Sequence, residues 1–146
     1  MALLALMPGA ALAQDDAVEA FVASNLIATL YHELGHVLID QMGLPVLGQE
    51  EDAADVLSVL MIDAFFEEEL AVSIAIDTAF GFYESAEDDA PAFWDVHGPD
   101  LQRYYTTVCL FYGANPDERE DIAQDMGLPE DRAESCEEEF ELAHDS

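Results

Sequence analysis

A chain of 146 residues, 51% of them apolar, is long enough for one domain with a buried core and too apolar for a disordered segment. Its 33 Asp and Glu face three Arg and no Lys, a formal net charge of −30; this argues against nucleic acid, whose phosphates need clustered cations, and against an anionic membrane surface. So large a charge of one sign repels itself unless salt screens it, and suits either saline surroundings or an acidic exported protein.

Met1 to Ala13 is nearly all apolar and uncharged, and ends Ala11-Leu12-Ala13 before Gln14-Asp15-Asp16. A small-x-small site after a short apolar run predicts a secretory signal peptide over 1–13, with a buried N-terminal helix as the alternative, and a single domain over 14–146. No apolar run reaches the ~18 residues of a membrane span. The longest later one, Leu70 to Phe82, contains Asp77.

Asp16 with Glu19 resembles a capping box, so a helix is expected from Ala17 to Met42, stopping at Gly43. Leu44 to Gly48, with Pro45, predicts a turn. Acidic residues favour a second helix start near Glu50 or Glu51. Val56 to Phe66 is apolar on all sides, which predicts a central, buried helix. Leu70 to Tyr83 is expected to be helical, although its Ile, Val and Phe would also suit a strand. Glu84 to Pro91 reads as an acidic loop. Gly98-Pro99 opens a helix to about Tyr112; Asn115-Pro116 opens a short one ending at Gly127; Pro129 opens the last. With no alternating strand, the expected fold is mainly α. Cys109 and Cys136 are the only cysteines. In an exported chain they most simply form one disulfide, the alternative being two buried thiols.

The chemistry concentrates in His32-Glu33-Leu34-Gly35-His36, an H-E-x-x-H motif inside a predicted helix. Residues i and i+4 lie one above the other on a helix face, so two imidazoles can chelate one zinc ion while Glu33 takes a proton from water as general base. Zinc needs a third protein ligand and an open position. In Glu50-Glu51-Asp52-Ala53-Ala54-Asp55, Glu51 and Asp55 share one face of the second helix, and the turn through Gly43, Pro45 and Gly48 can return that helix to the first. Glu51 then completes a His-His-Glu set, and Asp55 accepts from the free nitrogen of one histidine. Glu50 and Asp52 read as solvated residues of the helix start. A deaminase-type zinc site would need a paired-cysteine motif, which the chain lacks.

A later cluster holds His97, Arg103, Tyr104 and Tyr105. His97 is a candidate polariser of a substrate carbonyl or stabiliser of an oxyanion. Arg103 suits a substrate carboxylate, or an ion pair with Asp95 or Asp100. Tyr104 or Tyr105 could donate to the oxyanion, or fill core. Asp63, in apolar surroundings, predicts a structural contact.

The run TLYHELGHVLIDQMGLPVLGQEEDAAD, with WDVHGPDLQRYYTTVCLFYG and LPEDRAESC later, resembles a bacterial metallopeptidase family, domain of unknown function 4344, from Phe21 to about Phe140. The Glu51-x-x-x-Asp55 pattern after H-E-x-x-H also resembles gluzincins. The resemblance implies a compact zincin-like helical domain, His32, His36 and Glu51 as zinc ligands, Glu33 as general base and Asp55 behind a ligand. No segment reads as the edge strand along which many zincins bind a substrate backbone. The expectation is a periplasmic or secreted zinc hydrolase acting on a peptide or protein. The rival is a non-catalytic, zinc-stabilised binding or interaction protein on the same fold.

Overall fold

The computed structural model describes the backbone of residues 8–88 and 90–146 and the side chains of 16–86 and 90–146. It is mainly helical, with no strand among the described residues: α1 (Pro8–Met42), α2 (Glu50–Phe65), α3 (Glu68–Asp88), α4 (Asp100–Ala114), α5 (Pro116–Asp125), α6 (Glu130–Ala133) and α7 (Cys136–His144). Residues 1–7 of the proposed signal segment lie outside the described residues.

Three boundaries differ from the sequence reading. Asp16 lies well inside α1 rather than capping it, because the chain ahead of it is already helical. α3 runs on to Asp88 and absorbs much of the expected acidic loop. The last helix is two, α6 and α7, with Ser135 at the break. At the other end of α1, Gly43 takes the left-handed backbone (φ 63°), and the Leu44 N–H reaches back to the Ile39 carbonyl. That closure ends a helix and turns the chain sharply.

α2 is not the central helix that its apolar run predicted. It buries one stripe, Ala54, Ser58, Val59 and Ile62, while Phe65 is 68% exposed. The centre is α4, which buries Tyr104, Thr107, Val108, Cys109, Leu110 and Phe111. It lies between two apolar clusters. One joins Ala28 of α1, Val59 and Ile62 of α2, Ile74 and Ala75 of α3, and Leu110 and Phe111 of α4. The other joins Tyr104, Val108 and Cys109 to Ala79, Ala123, Leu128 and Cys136. Continuous apolarity reports hydrophobic supply, whereas centrality depends on how many neighbours surround the helix.

One covalent and one polar fastening hold this arrangement. Cys109 and Cys136 are joined as a disulfide between α4 and the start of α7. Arg119, 3% exposed, pairs with Asp63 at 2.7 Å and with Glu68, donates to the Phe111 carbonyl at 2.8 Å and stacks on the Phe111 ring. A buried guanidinium needs such a complete set of partners. Among the described residues, no helix is long and apolar enough to cross a membrane.

Candidate metal centre

α1 carries His32, Glu33 and His36, and α2 carries Glu51 and Asp55. Gly35, inside the motif, lets the two helices meet closely. A Cβ there would lie 3.1 Å from the Ala54 Cα, tighter than ordinary contact. This approach puts the α2 carboxylates against the α1 imidazoles.

His32 Nε2, His36 Nε2 and Glu51 Oε2 form a triangle with every side 3.2 Å. Zinc bonds of 2.0–2.1 Å in tetrahedral directions separate their ligand atoms by about 3.3 Å. The other nitrogen of each ring is held by a carboxylate: His32 Nδ1 to Asp55 Oδ1 at 2.8 Å, His36 Nδ1 to Glu50 Oε1 at 2.9 Å. With Nδ1–H donated outward, a neutral ring turns the lone pair of Nε2 inward. Two lone pairs and a carboxylate oxygen then face one point, an arrangement that calls for positive charge there. The donor set therefore fits a divalent metal with nitrogen and oxygen preferences. The hydrogen bond to Glu50 raises the pKa of His36 above 6.5, against the opposing effect of burial and with help from Glu51. A more basic ring is also a stronger metal donor.

His97 joins the group from the loop ahead of α4. Its Nε2 lies 3.0 Å from Glu51 Oε2 and its Nδ1 3.0 Å from Asp95 Oδ1. His32, Glu51 and His97 each offer a ligand atom, all within 4.8 Å of one another. The backbone N–H of His97, and then its ring, hold the Asp95 carboxyl below its ordinary 3.8. Glu33 lines the mouth of the adjoining cavity beside His32 and His97.

Arg103 is the residue whose surroundings depart most from the sequence reading. Its Nε and Nη2 grip Asp55 at 2.7 and 2.9 Å, and Phe82 stacks on the guanidinium at 4.1 Å. Asp100 is a weaker partner at 3.7 Å, and Asp95 is spent on His97 instead. Burial works against the Arg103 charge, but hydrogen bonding to Asp55 outweighs it and the pKa is raised. Tyr104 is removed from the oxyanion donors: it is buried, its hydroxyl bonds the Met126 carbonyl, and burial raises its pKa. Tyr105 packs edge-on against Tyr104 in the disulfide cluster. The tyrosines follow α4 into the core because they fall on its inner face.

The sequence reading missed two partners. Glu50, read as solvated, orients His36, and Asp95 orients His97. An acidic residue at a helix start usually is solvated, so nothing in the chain marked Glu50 out. The reading also missed a cavity of about 290 Å³ that opens at His32, Glu33 and His97 and runs inward between α1, α2, α3 and α4. Its walls come from four separate segments, which no local pattern groups.

The family model of DUF4344, described as "Putative metallopeptidase", matches residues 7–146. The chain belongs to this family. Membership supports a metallopeptidase reading at the coarse level, and a metallopeptidase implies a metal ion, for which the cluster around Glu51 supplies suitable donors. No curated protein and no solved structure matches the chain.

Proposed function

We propose that this DUF4344 chain is an exported zinc-dependent peptidase in which His32, His36 and Glu51 hold the metal. The observation that carries the reading is the 3.2 Å triangle of donor atoms, each imidazole backed by its own carboxylate. Bound zinc supplies a Lewis acid that acidifies water to a pKa of about 7 and polarises a carbonyl.

The chain's own groups do the rest. Asp55 and Glu50 fix the ring tautomers. Arg103 neutralises Asp55, so that Asp55 orients His32 without adding a free negative charge beside the site. Glu33, the general base, accepts the proton of the attacking water on its carboxylate and returns it to the leaving amine. His97, as an imidazolium with Nδ1–H on Asp95, donates its Nε2–H to the developing oxyanion. Disulfide pairing of Cys109 with Cys136 and the apolar Met1–Ala13 segment support export to the periplasm or beyond. The substrate is a peptide or protein.

A second reading, a zinc-stabilised binding protein without catalysis, is favoured by one observation. His97 has the same geometry as the other two histidines, Nδ1 on a carboxylate and Nε2 at Glu51, so four protein donors could close the metal. Against it stands the cavity reaching Glu33.

Metal content by plasma mass spectrometry separates these. About one zinc per wild-type chain is expected, lost in His36→Ala and Glu51→Ala. Glu33→Gln should keep its zinc and lose peptide cleavage by about a thousandfold or more. Zinc retained with no wild-type cleavage of a peptide library, and a large loss of zinc affinity in His97→Ala, selects the second reading. A wild type that takes up no zinc ends both.

A further inference from the structure

The cavity beside the candidate metal centre joins charged residues, among them His32, Glu33 and His97, to an apolar inner wall. It is lined at depth by Ala28, Val59, Ile62, Ala75, Phe82 and Phe111. Ala28, Val59, Ile62, Ala75 and Phe111 belong to the apolar core, while Thr29 and Glu33 are exposed, so the space is a cleft that runs from the surface into the core. Close packing is the rule in protein interiors, and a fold selected only for stability would fill such a space. Two of its lining residues, Ala28 on α1 and Ala75 on α3, are small and leave room in it.

The polar groups on the wall are mostly spent. The hydroxyls of Thr29, Ser58 and Thr78 donate to the carbonyls of Asn25, Ala28 and Ile74. The Asn25 amide nitrogen donates to the Phe21 and Asp77 carbonyls, and Nε and Nη2 of Arg103 hold Asp55 while Nη1 faces Asp100 at 3.7 Å. Thr29 and Thr78 bond their own helices and Ser58 bonds α1, so each presents little but its methyl or methylene to the space. Thr107, 4% exposed, is the exception: it lines the cavity and has no hydrogen bond among the described residues. Away from the charged residues His32, Glu33 and His97, the lining therefore rewards an apolar body and offers the Thr107 hydroxyl for a polar atom. Its volume of about 290 Å³ exceeds the ~150 Å³ that holds a benzene ring in an apolar protein cavity.

We propose that this cavity is a side-chain pocket for a large apolar residue, of aromatic size, that adjoins the bond to be cleaved. The inference rests on the peptidase reading for its placement, since the mouth is formed by His32, Glu33 and His97. A residue seated here brings its own backbone to the candidate metal and to the Glu33 carboxylate. Remote binding of this kind converts side-chain burial into orientation of the reacting carbonyl.

Two measurements on the full chain test it. Toluene is titrated against metal-free and zinc-loaded protein while the Val59 and Ile62 methyl resonances are followed by NMR. Saturable shifts are expected in both forms, weakened at least tenfold in Ala28→Leu and, independently, in Ala75→Leu. Cooperative unfolding certifies that each variant is folded, and the two lie on different helices, so the loss of one leaves the other as a test. The zinc-loaded protein is then given a peptide library. Cleavage next to Phe, Tyr, Trp or Leu is expected, moving towards Ala and Gly in the filled variants with zinc content unchanged. Absence of toluene binding, or cleavage whose preference ignores pocket filling, overturns the pocket. Toluene binding that the filled variants lose, with no peptide cleavage by the wild type, keeps an apolar pocket and overturns the peptidase reading instead.

Discussion

At the scale of single residues, Asp55 is the hinge of the site. One oxygen accepts from His32 Nδ1 at 2.8 Å while both oxygens receive the Arg103 fork. The Asp55 and Arg103 side chains are 15% and 16% exposed, so the pair is largely desolvated and each charge depends on the other. Removing one partner leaves a buried carboxylate with only an imidazole beside it. Arg103→Met is expected to cost about 3 kcal/mol of stability and about tenfold in zinc affinity. Chemical denaturation and competition with a chelator measure the two. Were Arg103 instead a grip for a substrate carboxylate, as its sequence position suggests, the variant would raise KM and leave zinc affinity unchanged. The H-E-x-x-H histidines and Glu33 were legible in the sequence because helical periodicity fixes them locally. Arg103 was legible only as a scarce cation. Its partner lies 48 residues away on another helix, and no sequence pattern encodes that distance.

At the scale of elements, the α1–α2 crossing makes the site. The turn after Gly43 sends α2 back along α1, and Gly35 against Ala54 sets how near it comes. Gly35→Ala adds only a methyl, and alanine is the better helix former, so local propensity favours the change by roughly 1 kcal/mol. The crossing opposes it, because the new Cβ meets backbone at 3.1 Å and α2 must shift. A shift of a few tenths of an ångström moves Glu51 away from the two imidazoles. The expected result is weaker zinc binding with the helical circular dichroism intact. Unchanged zinc affinity would show that α1 and α2 can slide without disturbing the donors. The sequence predicted the turn and the return of α2, since Gly and Pro punctuate the chain there. It misjudged α2 as the centre, because apolarity on all sides does not say which neighbours arrive. α1 shows the same gap: Leu26 and Leu30 are each 65% exposed while Ala28 between them is buried.

At the scale of the whole molecule, charge sets the response to solution conditions. All three arginines are committed, Arg103 to Asp55, Arg119 to Asp63 and Glu68, and Arg132 to Glu139. The remaining carboxylates repel one another at neutral pH, so raising NaCl from about 0.05 to 1 M should raise Tm by several degrees. A falling Tm would mean that the arginine pairs outweigh the repulsion. Acid acts in two directions. Hydrogen bonds from Arg119 and Arg132 hold Glu68 and Glu139 below their ordinary 4.5. A carboxylate depressed in the folded state contributes stability that is fully present above its unfolded pKa and lost as pH falls through the folded one. Protonation of the unpaired carboxylates meanwhile relieves repulsion. Tm is expected to rise from pH 7 towards pH 5 and to fall below pH 4.5, and a thermal melt series in low salt reads both limbs.

What the sequence determined by itself was whatever depends on composition or on near neighbours along the chain: the helical class, the motif face of α1, Glu51 and Asp55 one turn apart, and the net charge of −30. What the tertiary structure decided was whatever needs segments far apart to meet. That includes the third imidazole at Glu51, the carboxylates behind His36 and His97, the commitment of Arg103 to Asp55 and the withdrawal of Tyr104 into the core. The cavity belongs to the same group. The reason is physical: hydrogen bonding and periodicity act over one or two helical turns, whereas a metal centre and its pocket are sums over helices whose crossing is settled only when the whole core packs.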